Sequence, residues 1–463
     1  MSPLELDFDA CYRAVSARDA RFDGRFYTAV KTTGIYCRPI CPARTPAARN
    51  VRFYRHAATA EAAGFRPCKR CRPELSPGDP GWDVRGDLIG RALRLIDDGA
   101  ADEDGVAGLA RRLHITERHL HRLFTAELGV GPLAVARTRR LLLAKQLLTE
   151  TALPVTDVAF AAGFGSVRQF NATMRETYGF SPSALRATAG GPAAAPGSAL
   201  RLRLHHREPY DVEGVLSFLA ARAIPGLETA DANGYSRAVP GGTITLTPRP
   251  GHVALDVTVD DTRQLARVVA RCRRLLDLDA DPDAISDALG RTSLAPLVEA
   301  RPGLRVPGTF DGFELAVRAV VGQQISVAGA RTLLGRIVGR AGQDGRLFPT
   351  PAELLDADLT GLGLTGRRIT TLKELAGRVA GGLIDLDGAQ EPAEAVKELL
   401  AVPGIGPWTA GYIALRALRD PDAWPSGDLV LVRRMAELGI PKDHLERWRP
   451  WRAYAALHLW SHR

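Results

Sequence analysis

Apolar residues recur along this chain with two different periods, and each change of period marks a boundary. Between residues 83 and 187 the spacing is helical: Leu88, Leu93 and Ile96 fall on one face, and Leu141, Leu142, Ala144 and Leu148 on another. Residues 200–204, 243–247 and 254–259 alternate with period two and predict strands of an antiparallel sheet. From about residue 286 the helical spacing returns and continues to the end. Two stretches rich in Pro and Gly, 73–81 and 190–197, interrupt these patterns and predict a turn and a linker without apolar anchors.

The helical stretch holds one motif twice. Residues 106–113, a short turn and residues 117–124 are matched by 155–164 and 167–174. Each copy reads as a short helix, a tight turn and a second helix with a polar outer face. One copy alone fits any helical hairpin; two copies point to paired helix-turn-helix units. The second helices, roughly 117–126 and 166–176, carry Arg118, His119, Arg122, Arg168, Gln169 and Asn171, side chains that reach base edges or phosphates.

At 463 residues the chain exceeds a single core and predicts two to four domains, with the 45% hydrophobic and 24% charged content of a globular protein. It has no uninterrupted apolar run of about 18 residues and no basic-then-apolar leader, which predicts a cytoplasmic, nucleoid-associated protein with no membrane partner. The net charge of +9 is uneven: residues 1–187 hold 28 Lys+Arg against 20 Asp+Glu, the remainder 33 against 32. A basic first half predicts a polyanionic partner, most simply nucleic acid. The near-neutral second half has to be read from its motifs.

Four of the six cysteines form two short pairs, Cys37 with Cys41 and Cys68 with Cys71, separated by 26 residues. Each pair can chelate one edge of a tetrahedral ion, so Cys37, Cys41, Cys68 and Cys71 together predict one Zn²⁺. Spacing alone leaves open a closed structural site or one that keeps a thiolate reactive. Arg44, Arg66 and Lys69 surround the cluster and favour a surface that faces DNA. Cys11 and Cys272 have no spacing partner and read as packing residues. In the second half, Gly404, Ile405 and Gly406 between two helical runs form a hairpin whose glycines let backbone N–H groups approach a phosphate. Asp428 follows 22 residues after Gly406.

Several segments carry family resemblances. Residues 31–41 and 64–71 closely resemble the N-terminal domain of the bacterial Ada methylation-response family. In that family the first cysteine of the cluster accepts a methyl group from a methylphosphotriester, which by match is Cys37. The doubled motif and the ending 178–186 resemble the AraC-type DNA-binding domain. The hairpin followed by Asp428 resembles the helix–hairpin–helix DNA glycosylase superfamily. Residues 218–223, 300–308, 313–323 and 448–460 resemble the AlkA-type 3-methyladenine glycosylases, over about 201–463.

The glycosylase resemblance implies that Asp428 stabilises oxocarbenium character on the sugar and orients water. It implies an electron-rich pocket of Trp408, Tyr412 and Trp460 for cationic alkylpurines, with Phe218 a weaker member that also reads as core. Related glycosylases that nick the strand carry a lysine two residues past the hairpin's second glycine. Trp408 stands there, which implies hydrolysis without strand cleavage. Gln324 departs from the family's apolar wedge, but a glutamine can fill the gap left by an extruded base and hydrogen-bond its orphaned partner. The Pro-Cys-His-Arg motif of the second methyltransferase domain usual in Ada proteins does not occur.

The expectation is therefore a multidomain chain. It comprises a small α/β zinc methyl-acceptor domain (1–78), an all-α double helix-turn-helix domain (83–187), a linker (188–199) and an α+β glycosylase. The last divides into an antiparallel-sheet subdomain (200–285) and a helix–hairpin–helix catalytic domain (286–463). Such a chain would act as a monomer on double-stranded DNA, both alkylated substrate and promoter operator, and would contact RNA polymerase. It would excise alkylpurines and regulate the response to alkylation. Two other readings stay open: three DNA-binding modules without catalysis, against which Asp428 argues, or a purely structural zinc beside a glycosylase with a constitutive DNA-binding arm.

Overall fold

A computed structural model describes residues 6–79, 88–189 and 199–462. The expected linker at 190–197 and the end of the break at 73–81 lie outside the described residues. The chain divides into two compact units, Met1–Arg207 with Gly251–Ala270, and Glu208–Pro250 with Arg271–Arg463.

In the first unit, strands β1 (Tyr27–Val30), β2 (Ile35–Cys37), β3 (Val51–Tyr54) and β4 (Arg66–Pro67) form a sheet in the order β3-β1-β2-β4. β1 pairs antiparallel with β2 and β3, whereas β2 and β4 run parallel. The β1–β2 hairpin closes at Gly34, whose φ of +65° is a left-handed conformation that costs glycine little. One face packs Phe26 edge-on against Phe53 above the helix Phe8–Ala17, and Cys11 lies buried in that cluster. The packing role expected of Cys11 fits this burial, which pushes its thiol up to about 11.

The helical part repeats its motif in three dimensions. Glu117–Leu128 starts at Thr116, whose hydroxyl accepts the His119 N–H at 3.2 Å; Val167–Tyr178 starts at Ser166, which accepts the Gln169 N–H at 3.1 Å. Both helices end at a left-handed glycine, Gly129 and Gly179. Each buries one apolar stripe, Leu120 and Phe124 in the first and Phe170 and Met174 in the second. The 19-residue helix Pro132–Glu150 lies between the two motifs in sequence and packs on helix Ala57–Ala62 beside the small sheet. There the buried Lys145 amine donates to the Cys68 carbonyl at 3.1 Å and to Glu74 at 2.7 Å, while Arg72 pairs with Glu150 at 3.0 Å. Strand Leu200–His205 pairs antiparallel with His252–Val259 within this unit.

In the second unit Glu228–Asp231, Gly234–Val239 and Gly242–Arg249 form an antiparallel meander, and the region from Pro282 to Ser461 is predominantly helical. Helix Gly312–Val321 is buried along almost its whole length. Its Glu314 and the strand residue Glu228 are neutralised by the Arg237 and Arg318 guanidiniums at 2.5–2.8 Å, since a buried carboxylate without a counter-charge is costly. No described helix is long and apolar enough to cross a membrane.

Candidate metal centre and candidate active site

Cys37 ends β2, and a tight turn in which the Cys41 N–H donates to the Arg38 carbonyl brings Cys41 back beside it. β4 delivers the second pair, with the Cys68 N–H donating to Tyr36 O at 2.9 Å. The four Sγ atoms lie within 4.8 Å of one another. Tetrahedral Zn–S bonds of about 2.3 Å put sulfurs roughly 3.8 Å apart, so the set closes on such an ion with small shifts. The thiols already compete for protons: contact with Cys41 pushes the Cys37 thiol up, and the same contact pulls Cys41 down to about 7. A soft dication relieves that competition, and the donor set fits zinc.

The four sulfurs are not equivalent. Cys68 and Cys71 are buried, and their sulfurs accept the backbone N–H groups of Arg70 at 3.4 Å and Arg38 at 3.3 Å. Cys37 and Cys41 are partly exposed and, together with the buried Cys68, border a cleft of about 530 Å³ with Arg44, Arg66, Lys69 and Phe180. Arg44 is exposed; Arg66 donates to Tyr178 O at 3.4 Å, and the Lys69 amine sits 3.7 Å over the Phe180 ring. On helices Glu117–Leu128 and Val167–Tyr178, Arg118, Arg122, Arg168 and Gln169 are exposed. His119 is half-buried with its Nδ1 3.0 Å from Arg122 Nη2, and Asn171 turns back to donate to the Val167 carbonyl at 2.9 Å.

In the second unit the hairpin joins helices Pro392–Leu400 and Pro407–Arg416. Gly404 has φ +95°, and a Cβ there would stand 2.3 Å from Thr371 Oγ1. Ile405 anchors the turn in the core, whereas a Cβ at Gly406 would meet nothing within 4 Å. Gln323, not singled out in the sequence, ties the turn down by donating to Gly404 O at 3.0 Å and Thr409 Oγ1 at 2.9 Å.

Asp428 is the N-cap of Leu429–Glu437, accepting the Leu431 N–H at 2.9 Å. The same carboxylate accepts the indole N–H of Trp408 at 2.7 Å and that of Trp460 at 3.2 Å. Trp408 stacks on Tyr412 with centroids 5.3 Å apart and 8° between planes, and Trp460 meets Tyr412 at 61°. Asp428, Trp408, Tyr412, Trp460 and Phe218 line one cavity of about 570 Å³. Phe218 is covered by two guanidiniums, Arg222 at 3.7 Å and Arg416 at 4.7 Å. Gln324 is exposed in the left-handed region (φ +57°) and lies outside the cavity lining, to which its neighbours Ile325 and Val327 belong.

A protein of Mycobacterium tuberculosis (strain ATCC 25618 / H37Rv) named "Probable bifunctional transcriptional activator/DNA repair enzyme AlkA" is 48% identical to this chain, over 98% of it and 96% of the relative. The chain belongs to this family of bifunctional transcriptional activator/DNA repair enzymes. Family models for the "Metal binding domain of Ada", a "Helix-turn-helix domain" and the "AlkA N-terminal domain" match residues 10–74, 109–188 and 201–311. Escherichia coli (strain K12) "DNA-3-methyladenine glycosylase 2" is 36% identical over 56% of this chain and 95% of its own length. The E. coli "Bifunctional transcriptional activator/DNA repair enzyme Ada" is 38% identical over 39% of this chain and 49% of its own length. In this family member the four-cysteine cluster is a zinc site, and the architecture is the multidomain one expected: a zinc domain with a small sheet, a helical helix-turn-helix region, and a glycosylase with an antiparallel sheet and a helical bundle.

The arginines of the cavity were not among the residues singled out in the sequence. Arg222 ends the helix Val212–Arg222, and Arg416 closes the hairpin's second helix, where its Nε and Nη2 donate to Pro307 O and Gly308 O and its Nη1 to the Tyr412 hydroxyl. The signal available was an arginine inside an otherwise apolar helical run, a placement that needs local acceptors.

Proposed function

We propose that the second unit hydrolyses the N-glycosidic bond of alkylated purines of the 3-methyladenine class, and that the first unit couples methyl transfer onto Cys37 to transcriptional activation. The observation that carries the glycosylase mechanism is the Asp428 carboxylate, held by three N–H donors beside the stacked Trp408–Tyr412 pair. A carboxylate has about four lone-pair directions, and three are taken, which leaves one for a water. Its negative charge stabilises the positive charge that grows on the sugar as the C1′–N bond breaks and the electron pair departs with the base. Water then adds at C1′ and gives its proton to Asp428. Electron-rich faces of Trp408, Tyr412 and Trp460 suit a cationic purine. Trp408 offers no amine, which supports hydrolysis without strand cleavage.

At the metal centre, bound zinc keeps the thiolates deprotonated at neutral pH. Cys37 Sγ attacks the methyl carbon of a methylphosphotriester, the C–O bond breaks, and the pair stays on the phosphate. Exposure supports one of the first pair, because Cys68 and Cys71 are buried and their sulfurs are partly quenched by backbone N–H groups. Arg44, Arg66 and Lys69 would border the approaching phosphate, and Arg118, His119, Arg122, Arg168, Gln169 and Asn171 would read a promoter operator, a reading supported by the exposure of Arg118, Arg122, Arg168 and Gln169. Gly404, Ile405 and Gly406 receive the backbone of the substrate duplex, and Gln324 with Ile325 occupies the space of the extruded base. We assign the zinc domain to 1–78, the operator-reading domain to 83–187 and the glycosylase to 200–463, acting as a monomer in the cytoplasm and recruiting RNA polymerase. The test is incubation with methylated duplex DNA, with chromatography of released bases and intact mass of the protein: 3-methyladenine release and a gain of about 14 Da on Cys37 are expected.

A further inference from the structure

The charge of the glycosylase cavity is not that of a simple cation trap. Five arginines (Arg222, Arg237, Arg318, Arg331 and Arg416) and three carboxylates (Glu228, Glu314 and Asp428) line it. Glu314 and Glu228 are taken up by Arg237 and Arg318. Among the described residues Arg222 and Arg416 have no carboxylate partner, yet both flank the aromatic wall and together hold the buried Tyr412 hydroxyl below its ordinary ionisation range. A pocket built only to attract cationic bases gains nothing from two unpaired cations beside its aromatic rings; it loses attraction.

The two guanidiniums differ in what they have left to give. Arg416 has all three of its nitrogens engaged, on Pro307 O, Gly308 O and the Tyr412 hydroxyl. Arg222 donates to Phe218 O at 3.3 Å, also contacts the Tyr412 hydroxyl, and is only half-buried, with its own carbonyl held by Arg318 Nη1 at 3.0 Å. A guanidinium has five N–H donors, and after the contacts to Phe218 O and the Tyr412 hydroxyl about three of those on Arg222 remain for a ligand.

We propose that Arg222 is a specificity-determining residue: it offers N–H donors to an oxygen on the ring edge of the extruded purine, so that a 6-oxopurine is held better than a 6-aminopurine of equal charge. This rests on the glycosylase reading. 7-Methylguanine and 3-methyladenine are both cationic as nucleosides, so the aromatic rings treat them alike. They differ at C6, where one presents an acceptor oxygen and the other an amino group that opposes a guanidinium donor.

The full chain is incubated with duplex DNA carrying both bases, and each release rate is measured by chromatography for the wild type, Arg222→Met and Arg222→Lys. In the methionine variant the 7-methylguanine to 3-methyladenine rate ratio falls about tenfold or more, the loss of a charged hydrogen bond, and the lysine variant restores part of it. If the methionine variant does not fold, Arg222→Gln is read in the same way. A wild type that releases both bases, with a ratio unchanged in the variants while both rates fall in parallel, overturns the proposal alone and reduces Arg222 to a cover for Phe218. A wild type that releases neither base removes the glycosylase reading and this proposal with it.

Discussion

Trp408 donates its indole N–H to Asp428 Oδ2 at 2.7 Å while its ring face stacks on Tyr412, so one side chain both aims the carboxylate and builds a wall of the cavity. Cavity wall and carboxylate are thereby fixed in one frame, and on the proposed mechanism this is the preorganisation that makes an electrostatic contribution large.

Asp428→Asn is expected to abolish base release, with a loss of at least about 100-fold, while DNA affinity stays within about tenfold. An amide has one acceptor oxygen for the three N–H groups that now converge on the carboxylate, so a fall of about 1–3 kcal/mol in stability accompanies it. Single-turnover excision, filter binding and thermal unfolding separate the three effects. Borohydride trapping of the wild type should yield no protein–DNA adduct.

Trp460→Ala should damage excision more than Tyr412→Ala, because Trp460 supplies both a ring and a hydrogen bond to Asp428. Loss of an aromatic contact to a cation is worth about 0.5–2 kcal/mol, and the hydrogen bond adds to it. Trp460→Phe keeps a ring without the N–H and should fall between them. Normal excision by poorly folding variants would show that these rings serve packing alone.

Gly404 and Gly406 make a paired test of the hairpin. Gly404→Ala forces a Cβ to 2.3 Å from Thr371 Oγ1 at φ +95° and should lower both stability and DNA binding. Gly406→Ala meets nothing within 4 Å in the free protein, so its thermal stability should be unchanged. Any loss of DNA affinity in that variant then reports a methyl group standing between backbone and phosphate.

Methylation of Cys37 turns one thiolate of a four-thiolate zinc site into a neutral thioether and removes one negative charge from a surface bordered by Arg44, Arg66 and Lys69. Over about 5–8 Å at an effective dielectric of about 20–80, that charge against one phosphate is worth roughly 0.5–3 kcal/mol before screening. Methylated protein should therefore bind its operator more tightly, with a difference that shrinks as salt rises. Cys37→Ser should show neither the mass gain nor the tightening, and an adduct mapped to Cys68 or Cys71 would reverse the assignment.

Glu61 gives the first unit a pH signature. Burial pushes its carboxyl up to about 6, against the hydrogen bonds it accepts from Thr138 at 2.6 Å and Tyr36 at 3.0 Å. The folded state thus holds this proton more tightly than the unfolded chain, whose value is about 4.5. Stability from this group is present below that value and is lost as pH rises to about 6, by about 1–2 kcal/mol. Denaturant titrations of the wild type and Glu61→Gln from pH 4 to 7, at steps of about half a unit, should differ by that slope.

What the sequence makes legible here is chemistry with a spacing. The two cysteine pairs bring four sulfurs together, and the two helix-turn-helix copies appear with the same caps and terminal glycines. Asp428, Trp408, Tyr412 and Trp460 line one cavity although 52 residues separate the first and last of them in sequence. What stays hidden depends on tertiary neighbours. β4 is two residues long, Arg66–Pro67, and shows no alternation, so its parallel pairing with β2 has no period to betray it. Arg222 and Arg416 are ordinary helical arginines until the fold sets them around Phe218.

The Lys145 amine, buried and bonded to both the Cys68 carbonyl and the Glu74 carboxylate, has a bearing on how this chain can be recombined. A crossover that joined a foreign zinc domain to this operator-reading domain would leave that amine facing an unmatched carbonyl and acid, a cost of several kcal/mol for a buried charge. Module shuffling should therefore spare the junction between residues 79 and 88, and a truncation placed there to isolate the zinc domain would strand Glu74 with Arg72 as its sole remaining counter-ion among the described residues. On the proposed reading, the methyl acceptor and its operator reader have to be moved as one part.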